Sequence, residues 1–218
     1  MRVVVVHSGG LDSTVLLASL VAQGHEVLPF SVDYGQRHAR ELQAAEDVWR
    51  HFGVEGKRLD LSALSSIFDS SSLIEASGQA IPEGHYEADS MKSTVVPNRN
   101  MLLLAAAAAY AINSQANAVA YGAHAGDHAI YPDCRGSFVL AMTGALAVCD
   151  WEPILLLTPF LYMTKAQIVA QGAEVGAPFG LTWSCYNGRE KHCGVCGTCV
   201  ERRAAFRLAG VIDPTEYE

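Results

Sequence analysis

The feature of this sequence that most constrains its fold is a run of four valines leading directly into a glycine-rich turn. Residues 3–6 carry no polar side chain, which is typical of a strand buried on both faces of a parallel sheet. The string SGGLDS follows at residues 8–13, and helical spacing begins at residue 13. This order of strand, turn and helix predicts an α/β fold.

The remaining sequence alternates strand and helix patterns in the same way. Strands are predicted at residues 26–32, 118–121 and 154–157, and helices at 13–21, 39–52, 100–111 and 164–175. The alternation predicts a Rossmann-like parallel sheet with helices on both faces. Residues 62–97 are rich in Ser, Gly and Pro and lack a long periodic stretch, so they form either a partly disordered insertion or a lid or substrate loop.

Composition limits the classes of partner. The chain has 218 residues, half of them hydrophobic, which is enough for one sizeable core. Its net charge of -8 opposes the broad basic surface that duplex or tRNA binding requires, so we expect no nucleic-acid partner. The longest apolar run, residues 101–112, is too short to cross a bilayer, and we find no targeting segment. We therefore expect a cytoplasmic protein without a membrane partner.

The glycine-rich string has the chemistry of an anion cradle. Gly9 and Gly10 let the backbone turn tightly and bring its N–H groups towards an anion, and the following helix adds its dipole. Ser8 and Ser13 add hydroxyl donors, whereas Asp12 suits a role linked to magnesium or in bracing the loop. A generic glycine-rich turn is the alternative, but the full string directly after a buried strand favours phosphate binding.

Four of the six cysteines collect near the C-terminus with the spacing C-x(7)-C-x(2)-C-x(2)-C. They are Cys185, Cys193, Cys196 and Cys199. Four thiolates suit a closed tetrahedral zinc site, and the intervening glycines permit tight loops between them. A redox Cys-x-x-Cys pair would leave two cysteines unexplained, whereas an iron–sulfur cluster remains an alternative on ligand type. The pattern favours one structural zinc ion.

Two further motifs place a cation at the start of a predicted helix. In the first, Asn98 can cap the helix and Arg99 follows it, so Arg99 either contacts ATP or substrate or lies on the surface. In the second, Thr164 resembles an N-cap and Lys165 falls in the first turn, where a cation opposes the helix dipole. An anion near Lys165 would offset that cost, and an ATP phosphate is one candidate; a solvated lysine is the alternative.

A polar segment follows the third predicted strand. Asp127 and Asp133 could together hold magnesium, and Asp133 could instead accept hydrogen bonds from a guanine-like edge. Arg135 could pair with a carboxylate in bidentate geometry. The alternative is a capped loop followed by a helix start, and Cys134 suits a packed position better than that of a nucleophile.

Taken in order, these motifs resemble the QueC family of 7-cyano-7-deazaguanine synthases, which carry the PP-loop signature of ATP pyrophosphatases. The resemblance rests on the glycine-rich string, the cysteine cluster and the strings DYGQRH at 33–38, VPNRN at 96–100, GDH at 126–128 and YPDCR at 131–135. It covers almost the whole chain and is least informative at residues 62–90. One departure is the pair Gly136-Ser137, where the family leads us to expect a more polar or Pro-Glu-like pair.

The resemblance implies an adenine nucleotide alpha hydrolase-like domain at residues 1–180 and a small zinc-binding segment at 181–218 packed on it. It implies that ATP with Mg²⁺ activates 7-carboxy-7-deazaguanine, that ammonia yields an amide, and that a second ATP yields 7-cyano-7-deazaguanine for queuosine-type deazapurine synthesis. No glutaminase domain is recognisable, so free ammonia is the expected nitrogen source. A homodimer is also implied.

The residues expected to act fall into three groups. Those expected in catalysis are Asp12, Ser13, Arg99 and Lys165. Those expected to bind ATP are Ser8, Gly9, Gly10, Leu11, Asp12, Ser13 and Thr14. Those expected at the substrate or magnesium are Tyr34, Arg37, Arg99, Asp127, Asp133 and Arg135. Two other functions stay open at this point: a PP-loop tRNA thiolation enzyme whose cysteines carry sulfur, and a non-catalytic nucleotide-binding regulator.

Overall fold

The four-valine run forms the central strand of a five-stranded parallel sheet with the order β3-β2-β1-β4-β5. The structure is a computed structural model that describes residues 1–37, 40–86 and 88–218. The strands are β1 Arg2–Val6, β2 Glu26–Asp33, β3 Lys57–Asp60, β4 Ala118–Ala120 and β5 Leu155–Leu157. Val4 of β1 aligns with Leu28 on one side and Val119 on the other, so β1 is hydrogen-bonded along both edges.

Six α-helices cover the two faces of this sheet in the described part of the chain. They are α1 Leu11–Ala22, α2 Arg40–Phe52, α3 Arg99–Asn113, α4 Gly136–Leu146, α5 Lys165–Glu174 and α6 Gly197–Ala209. Val3 and Val5 point to a core shared with α1, α2, α5 and α6, whereas Val4 points to a core shared with α3 and α4. The valine run is uniformly apolar because both faces are buried, which confirms the predicted architecture.

Each strand and helix predicted from periodicity is present, with ends that differ by at most two residues. The helix predicted at 39–52 begins at Arg40, and Ala39 lies outside the described residues. Three elements were not predicted: β3, α4 and α6. β3 has the sequence KRLD and is largely exposed, so it lacks the apolar pattern of a strand.

The described residues of the segment at 62–97 form short 3₁₀ helices that pack beyond the carboxyl end of β2. These are Ser62–Ile67, Glu75–Ser77 and Asp89–Thr94. Leu73, Ile74 and Met91 are buried, and Ile74 pairs with Gln36 in an isolated bridge. Of the two alternatives for this segment, its described residues favour the substrate loop, because Leu73 and Tyr86 reach the central cavity.

The strand order reverses between β1 and β4, because the chain moves from β1 to β2 and β3 on one side and from β4 to β5 on the other. In open α/β sheets the carboxyl ends of the strands at this switch point leave a crevice for ligands. The glycine-rich loop after β1 and the loop after β4 meet there. In the described part of the chain, no helix combines the length and the apolar character needed to span a membrane.

Candidate functional site

A cavity of about 210 Å³ opens at the switch point between β1 and β4. Its wall comes from the glycine-rich loop (residues 8–13), the ends of β1, β2 and β4, the starts of α3, α5 and α6, and residues 183–186. The polar residues of this wall include Ser8, Asp12, Ser13, Tyr34, Gln36, Glu41, Tyr86, Arg99, Asn100, Tyr121, Asp127, Lys165, Ser184, Tyr186 and Thr198. Segments far apart in sequence therefore contribute to a single site.

The glycine-rich loop takes its shape from a close approach to α2. Gly9 has φ +85°, and a Cβ atom on it would lie 2.1 Å from the carbonyl oxygen of Glu41 and 2.6 Å from the amide nitrogen of Ala45. Only glycine fits both the backbone conformation and the contact. The Gly9 carbonyl in turn accepts a hydrogen bond of 2.9 Å from the backbone N–H of Trp183.

Hydroxyl groups hold the loop open towards the cavity. Ser13 Oγ accepts from the backbone N–H of Ser8 at 3.2 Å and donates to the carbonyl of Gly10 at 3.2 Å. Ser8 Oγ accepts from the N–H of Gly10 at 3.1 Å. Gly10 occupies the N-cap position of α1 without a side-chain cap, so the first turn of α1 meets the cavity with Gly10, Asp12 and Ser13.

Leu11 and Thr14, both expected to bind ATP, have buried side chains directed away from the cavity. Leu11 packs in the core shared by α1 and α5. Thr14 Oγ1 lies 3.1 Å from Nε2 of the buried His7, whose Nδ1 accepts the indole N–H of Trp49 at 3.0 Å. Burial lowers the pKa of His7 to about 3, so the ring is neutral and its Nε2–H donates to Thr14. Leu11 and Thr14 can therefore contribute to the glycine-rich loop only through their backbone atoms.

A partly buried charge cluster lies at the start of α5. Thr164 caps this helix in a capping box with Gln167, as its sequence predicts. Lys165 Nζ lies 2.9 Å from Asp12 Oδ2 and 3.0 Å from Glu201 Oε2. The anions that offset the unfavourable position of this lysine are thus two carboxylates of the chain itself.

Histidine 124 and Asp127 extend this cluster on the side of β4. His124 Nδ1 accepts the backbone N–H of Gly126 at 3.1 Å, so Nε2 carries the ring proton. His124 Nε2 lies 3.7 Å from Asp12 Oδ2 and 3.6 Å from Asp127 Oδ1. Asp127 Oδ1 also accepts the hydroxyl of Tyr86 at 3.0 Å.

The pKa values in the cluster reflect competition between burial and charge. Burial would lower the pKa of Lys165, but Asp12 and Glu201 outweigh it and the pKa is raised. Burial would raise the pKa of Asp12, but Lys165 and His124 outweigh it and the pKa is lowered. Burial raises the pKa of Glu201 more than Lys165 lowers it. Lys165 and Asp12 are therefore held as an ion pair.

Arg99 lies across the cavity at the start of α3. Burial would lower its pKa, but Tyr34 and Asp133 outweigh this effect and the pKa is raised, so the guanidinium stays charged; its Nε donates to Asn100 Oδ1 at 3.4 Å. Asn98 takes the N-cap position without making a side-chain cap. Asp133 Oδ2 performs that task from outside the helix, because it accepts the backbone N–H of Asn100 at 3.0 Å. The cap at this helix thus comes from Asp133, contrary to the expectation for Asn98.

Several residues expected at the substrate lie outside the cavity wall. Asp133 is occupied by the helix cap, and the exposed Arg135 donates from Nε to the carbonyl of His128 at 2.8 Å. The backbone N–H of Arg37 donates to Leu73, and its side chain is not part of the wall. Gly136 begins α4, also away from the wall. His38, which closes the motif at 33–38, lies outside the described residues.

The four cysteines of the C-terminal motif meet in one buried cluster. All four are free thiols, and their Sγ atoms lie within 4.8 Å of one another. Cys193 Sγ accepts the backbone N–H of Cys196 at 3.4 Å and the side-chain N–H of Asn187 at 3.2 Å. Gly194 has φ +73° and permits the tight loop, as expected, whereas Gly197 is the first residue of α6 and leaves room for Met91.

Among the site residues that escaped sequence reasoning, four connect its parts. Glu201, His124 and Tyr86 join the charge cluster, and Trp183 connects the glycine-rich loop to the cysteine cluster through its backbone bond to Gly9. Glu201 and Trp183 flank the cysteine motif, which is the signal in the sequence that could have drawn attention to them. His124 and Tyr86 carry no local signal.

Comparison with known proteins places these features in a family context. The family described as queuosine biosynthesis protein QueC matches residues 2–210. The chain is 52% identical over 216 residues to the 7-cyano-7-deazaguanine synthase of Marinobacter nauticus, which covers 99% of this chain and 97% of that protein. It is 50% identical over 217 residues to the 7-cyano-7-deazaguanine synthase of Hahella chejuensis, with coverage of 100% and 93%.

Among solved structures, the fold is similar to that of a predicted subunit of tRNA methyltransferase from Methanocaldococcus jannaschii. The TM-score is 0.52 at 18% sequence identity, and the similarity covers 80% of this chain and 75% of that chain. At this identity the similarity establishes the fold alone. The matched family region, in contrast, spans both the cavity and the cysteine cluster.

Proposed function

The chain belongs to the QueC family of queuosine biosynthesis proteins, and we propose that it converts 7-carboxy-7-deazaguanine, ammonia and ATP to 7-cyano-7-deazaguanine. This is a ligase-type reaction that forms a carbon–nitrogen bond. The proposal rests on full-length similarity to enzymes with that name and on a cavity that suits a polyanion. The observation that carries it is the ion pair of Lys165 with Asp12, at the first turn of α1.

The chemistry requires activation because a carboxylate oxygen is a poor leaving group. The substrate carboxylate attacks the α-phosphorus of ATP, pyrophosphate leaves, and ammonia displaces AMP to give the amide with loss of a proton. The amide oxygen then attacks the α-phosphorus of a second ATP and a second pyrophosphate leaves; departure of AMP and of both protons on the amide nitrogen then leaves the nitrile. One site serves both rounds, since carboxylate and amide are nearly isosteric.

Each part of the cavity has a task in this scheme. In this scheme the Lys165 ammonium would receive the pyrophosphate portion of ATP, together with loop N–H groups other than those of Ser8 and Gly10, which bond to the serine hydroxyls. Arg99 supplies a fixed cation on the opposite wall, with Tyr34 beside it. Asp127, Tyr86 and Leu73 are candidates for contact with the deazapurine. Arg37, Asp133 and Arg135 would act on the substrate only through the loops that they support.

The residues also fit a magnesium ion that accompanies ATP. Asp12 Oδ1 is buried and has no hydrogen-bond partner among the described residues, and carboxylate oxygen is the ligand that Mg²⁺ prefers. Asp12, with Asp127 nearby, would hold the ion, which would supply charge neutralisation at the phosphates. Asp12 itself keeps Lys165 in place through its other oxygen.

The cysteine cluster fits a structural zinc ion. Tetrahedral zinc with Zn–S bonds near 2.3 Å separates its sulfurs by about 3.8 Å, and the four Sγ atoms lie within 4.8 Å. All four ligands come from the chain and are buried, so no position is left open for a reactant. We propose that residues 181–218 form a zinc-binding segment on an ATP-binding domain at 1–180. Arg202 joins the two by donating to the carbonyl of Phe179 at 3.2 Å, while it also bonds to Thr182 and Asp213 of its own segment.

A thiolation reaction is less well supported than nitrile synthesis. A sulfur-carrying cysteine should be accessible and have a low pKa. Cys134 lines the cavity, but it is buried and burial raises its pKa, and the four clustered cysteines are buried as well. The free thiols fit the reducing cytoplasm, which is the location we propose.

An exposed apolar surface on α4 and the turn that follows it supports assembly as a homodimer. No charged residue occurs between Arg135 and Asp150, and Leu140, Val148 and Trp151 are 75%, 79% and 98% exposed. Two copies of net charge -8 repel each other elsewhere, so an uncharged face is the favourable place for them to meet. Trp151→Glu should halve the mass of the protein measured by light scattering. Leu208→Glu, at an exposed site on α6, should leave that mass unchanged. A wild type that is monomeric would contradict the proposal.

Pyrophosphate release tests the enzymatic proposal. Wild type should release pyrophosphate from ATP only when the deazapurine acid is present, and mass spectrometry should find the nitrile. Asp12→Ala and Ser13→Ala should abolish release without unfolding the protein, whereas Asp150→Ala, at an exposed carboxylate outside the cavity, should be active. Release by both loop variants at the wild-type rate would remove the loop from the mechanism. ATP binding without any release would favour a regulator.

A further inference from the structure

Lys165 lies between carboxylates that come from opposite ends of the chain. Its Nζ is 2.9 Å from Asp12 Oδ2 in the first turn of α1 and 3.0 Å from Glu201 Oε2 in α6. The side chains of Lys165 and Glu201 are 14% and 15% exposed. At such burial a charge pair is held more firmly than on the surface, and the loss of one partner leaves the other uncompensated.

The carboxylate of Glu201 is confined on its other side as well. A Cβ atom on Gly126 would lie 3.1 Å from Glu201 Oε1, so the loop after β4 closes over this group. Glu201 Oε2 has no aligned hydrogen bond within the described residues, although the Lys165 ammonium is close. The contact is therefore mainly Coulombic. A buried oxygen without a hydrogen bond costs stability, so its presence here points to a functional role.

The position of Glu201 is set by the cysteine cluster. Cys196 is the N-cap of α6, and Cys199 lies in its first turn, two residues before Glu201. α6 packs on α5, which begins with Lys165. The cysteines and the glycine-rich loop are far apart in sequence, and α6 gives a second structural path between them beside the hydrogen bond from Trp183 to Gly9.

We propose that Glu201 is a positioning residue that fixes the Lys165 ammonium over the glycine-rich loop, and that it couples the cysteine cluster to phosphate activation. The inference rests on the proposed function, in which Lys165 meets the phosphates. Glu201 itself repels a triphosphate. Its loss should therefore impair the orientation of Lys165 during pyrophosphate departure more than it impairs ATP binding.

The test compares Glu201→Gln with Glu201→Asp. The glutamine variant keeps the shape and removes the charge, whereas the aspartate variant keeps the charge and shortens the side chain. Glu201→Gln should lower kcat for pyrophosphate release at least about tenfold, with the KM for ATP unchanged or lower, as expected for a displaced catalytic group. Glu201→Asp should retain more activity. Glu174→Gln, at an exposed carboxylate on α5, is the matched control.

A second measurement is independent of enzymatic activity. Acylation of Lys165 by an amine-reactive ester, followed by peptide mass spectrometry without nucleotide, should be at least about threefold faster in Glu201→Gln, because its ammonium is freer to deprotonate and move. Metal content should equal that of wild type. Unchanged acylation, or a kcat within twofold of wild type, overturns the inference, and so does greater damage by aspartate than by glutamine. An inactive wild type with faster acylation in the variant refutes the proposed reaction and leaves the positioning role supported.

Discussion

Protonation of His7 should destabilise the fold as the pH falls. The residue follows β1 directly, is fully buried, and accepts the Trp49 indole N–H on Nδ1. A protonated ring has a hydrogen on both nitrogens, so it would break this bond and place a charge in the core. Burial accordingly lowers the pKa of His7 from 6.5 to about 3.

The sign and size of the effect follow from linkage. Because the folded pKa lies below the unfolded one, the contribution of His7 is complete above pH 6.5 and is lost as the pH falls towards 3. Each pH unit in that window removes about 1.4 kcal/mol from the free energy of unfolding. At pH 4.5 the loss due to His7 should reach about 3 kcal/mol.

Urea denaturation of wild type and His7→Asn at pH 7.5, 5.5 and 4.5 measures this contribution. Asparagine offers Oδ1 to the Trp49 indole and does not titrate, so the variant should be less stable at pH 7.5 but lose less stability on acidification. The contributions of groups other than His7 are common to both proteins and cancel in the difference. Curves that stay parallel from pH 7.5 to 4.5 would refute the reasoning, because His7 would then be either protonated in the fold or solvated.

Three further predictions concern the loop, the metal and the second activation. Gly9→Ala should lower the free energy of unfolding in urea by at least about 2 kcal/mol more than Gly24→Ala, because both have positive φ but only Gly9 meets backbone at 2.1 Å; equal losses would contradict the contact. Cys196→Ser should reduce folded yield and metal content, whereas the exposed Cys149→Ser should not, and elemental analysis should find about one zinc per wild-type chain; bound iron would favour a cluster. The free amide, 7-amido-7-deazaguanine, should be converted to the nitrile with consumption of ATP, and an amide that accumulates at saturating ATP and ammonia would reduce the activity to amide synthesis.

The sequence predicts those parts of the fold in which local pattern and tertiary environment agree. β1 can be predicted because both of its faces are buried and its sequence is uniformly apolar. α5 can be predicted because Thr164 and Gln167 form a capping box. β3 cannot be predicted in this way, because the sequence of an edge strand with exposed Lys57 and Arg58 resembles that of a loop. α6 starts inside the cysteine motif and buries an arginine, Arg202, at 0% exposure, which reverses the usual polarity of a helix face.

The same distinction applies to the site. The glycine-rich loop and Lys165 carry local signals, and both lie at the cavity as expected. Asp133 and Arg135 carried signals of the same kind but serve the start of α3 and the loop at His128. A polar residue after a strand can face a ligand or hold a neighbouring backbone group, and only the packing of α3 against this loop decides between them.

The partners of Lys165 cannot be predicted from the sequence around it. A cation in the first turn of a helix is unfavourable, so the sequence correctly indicates that an anion must be near it. Whether that anion is a ligand or a side chain depends on Asp12 and Glu201, which are 153 and 36 positions away and reach Lys165 only through the sheet and α6. Because Asp127 brings a third carboxylate close to this one ammonium, a bare triphosphate would meet repulsion at the loop. The cluster therefore favours a nucleotide that arrives with a divalent cation, which Asp12 Oδ1 is free to bind among the described residues.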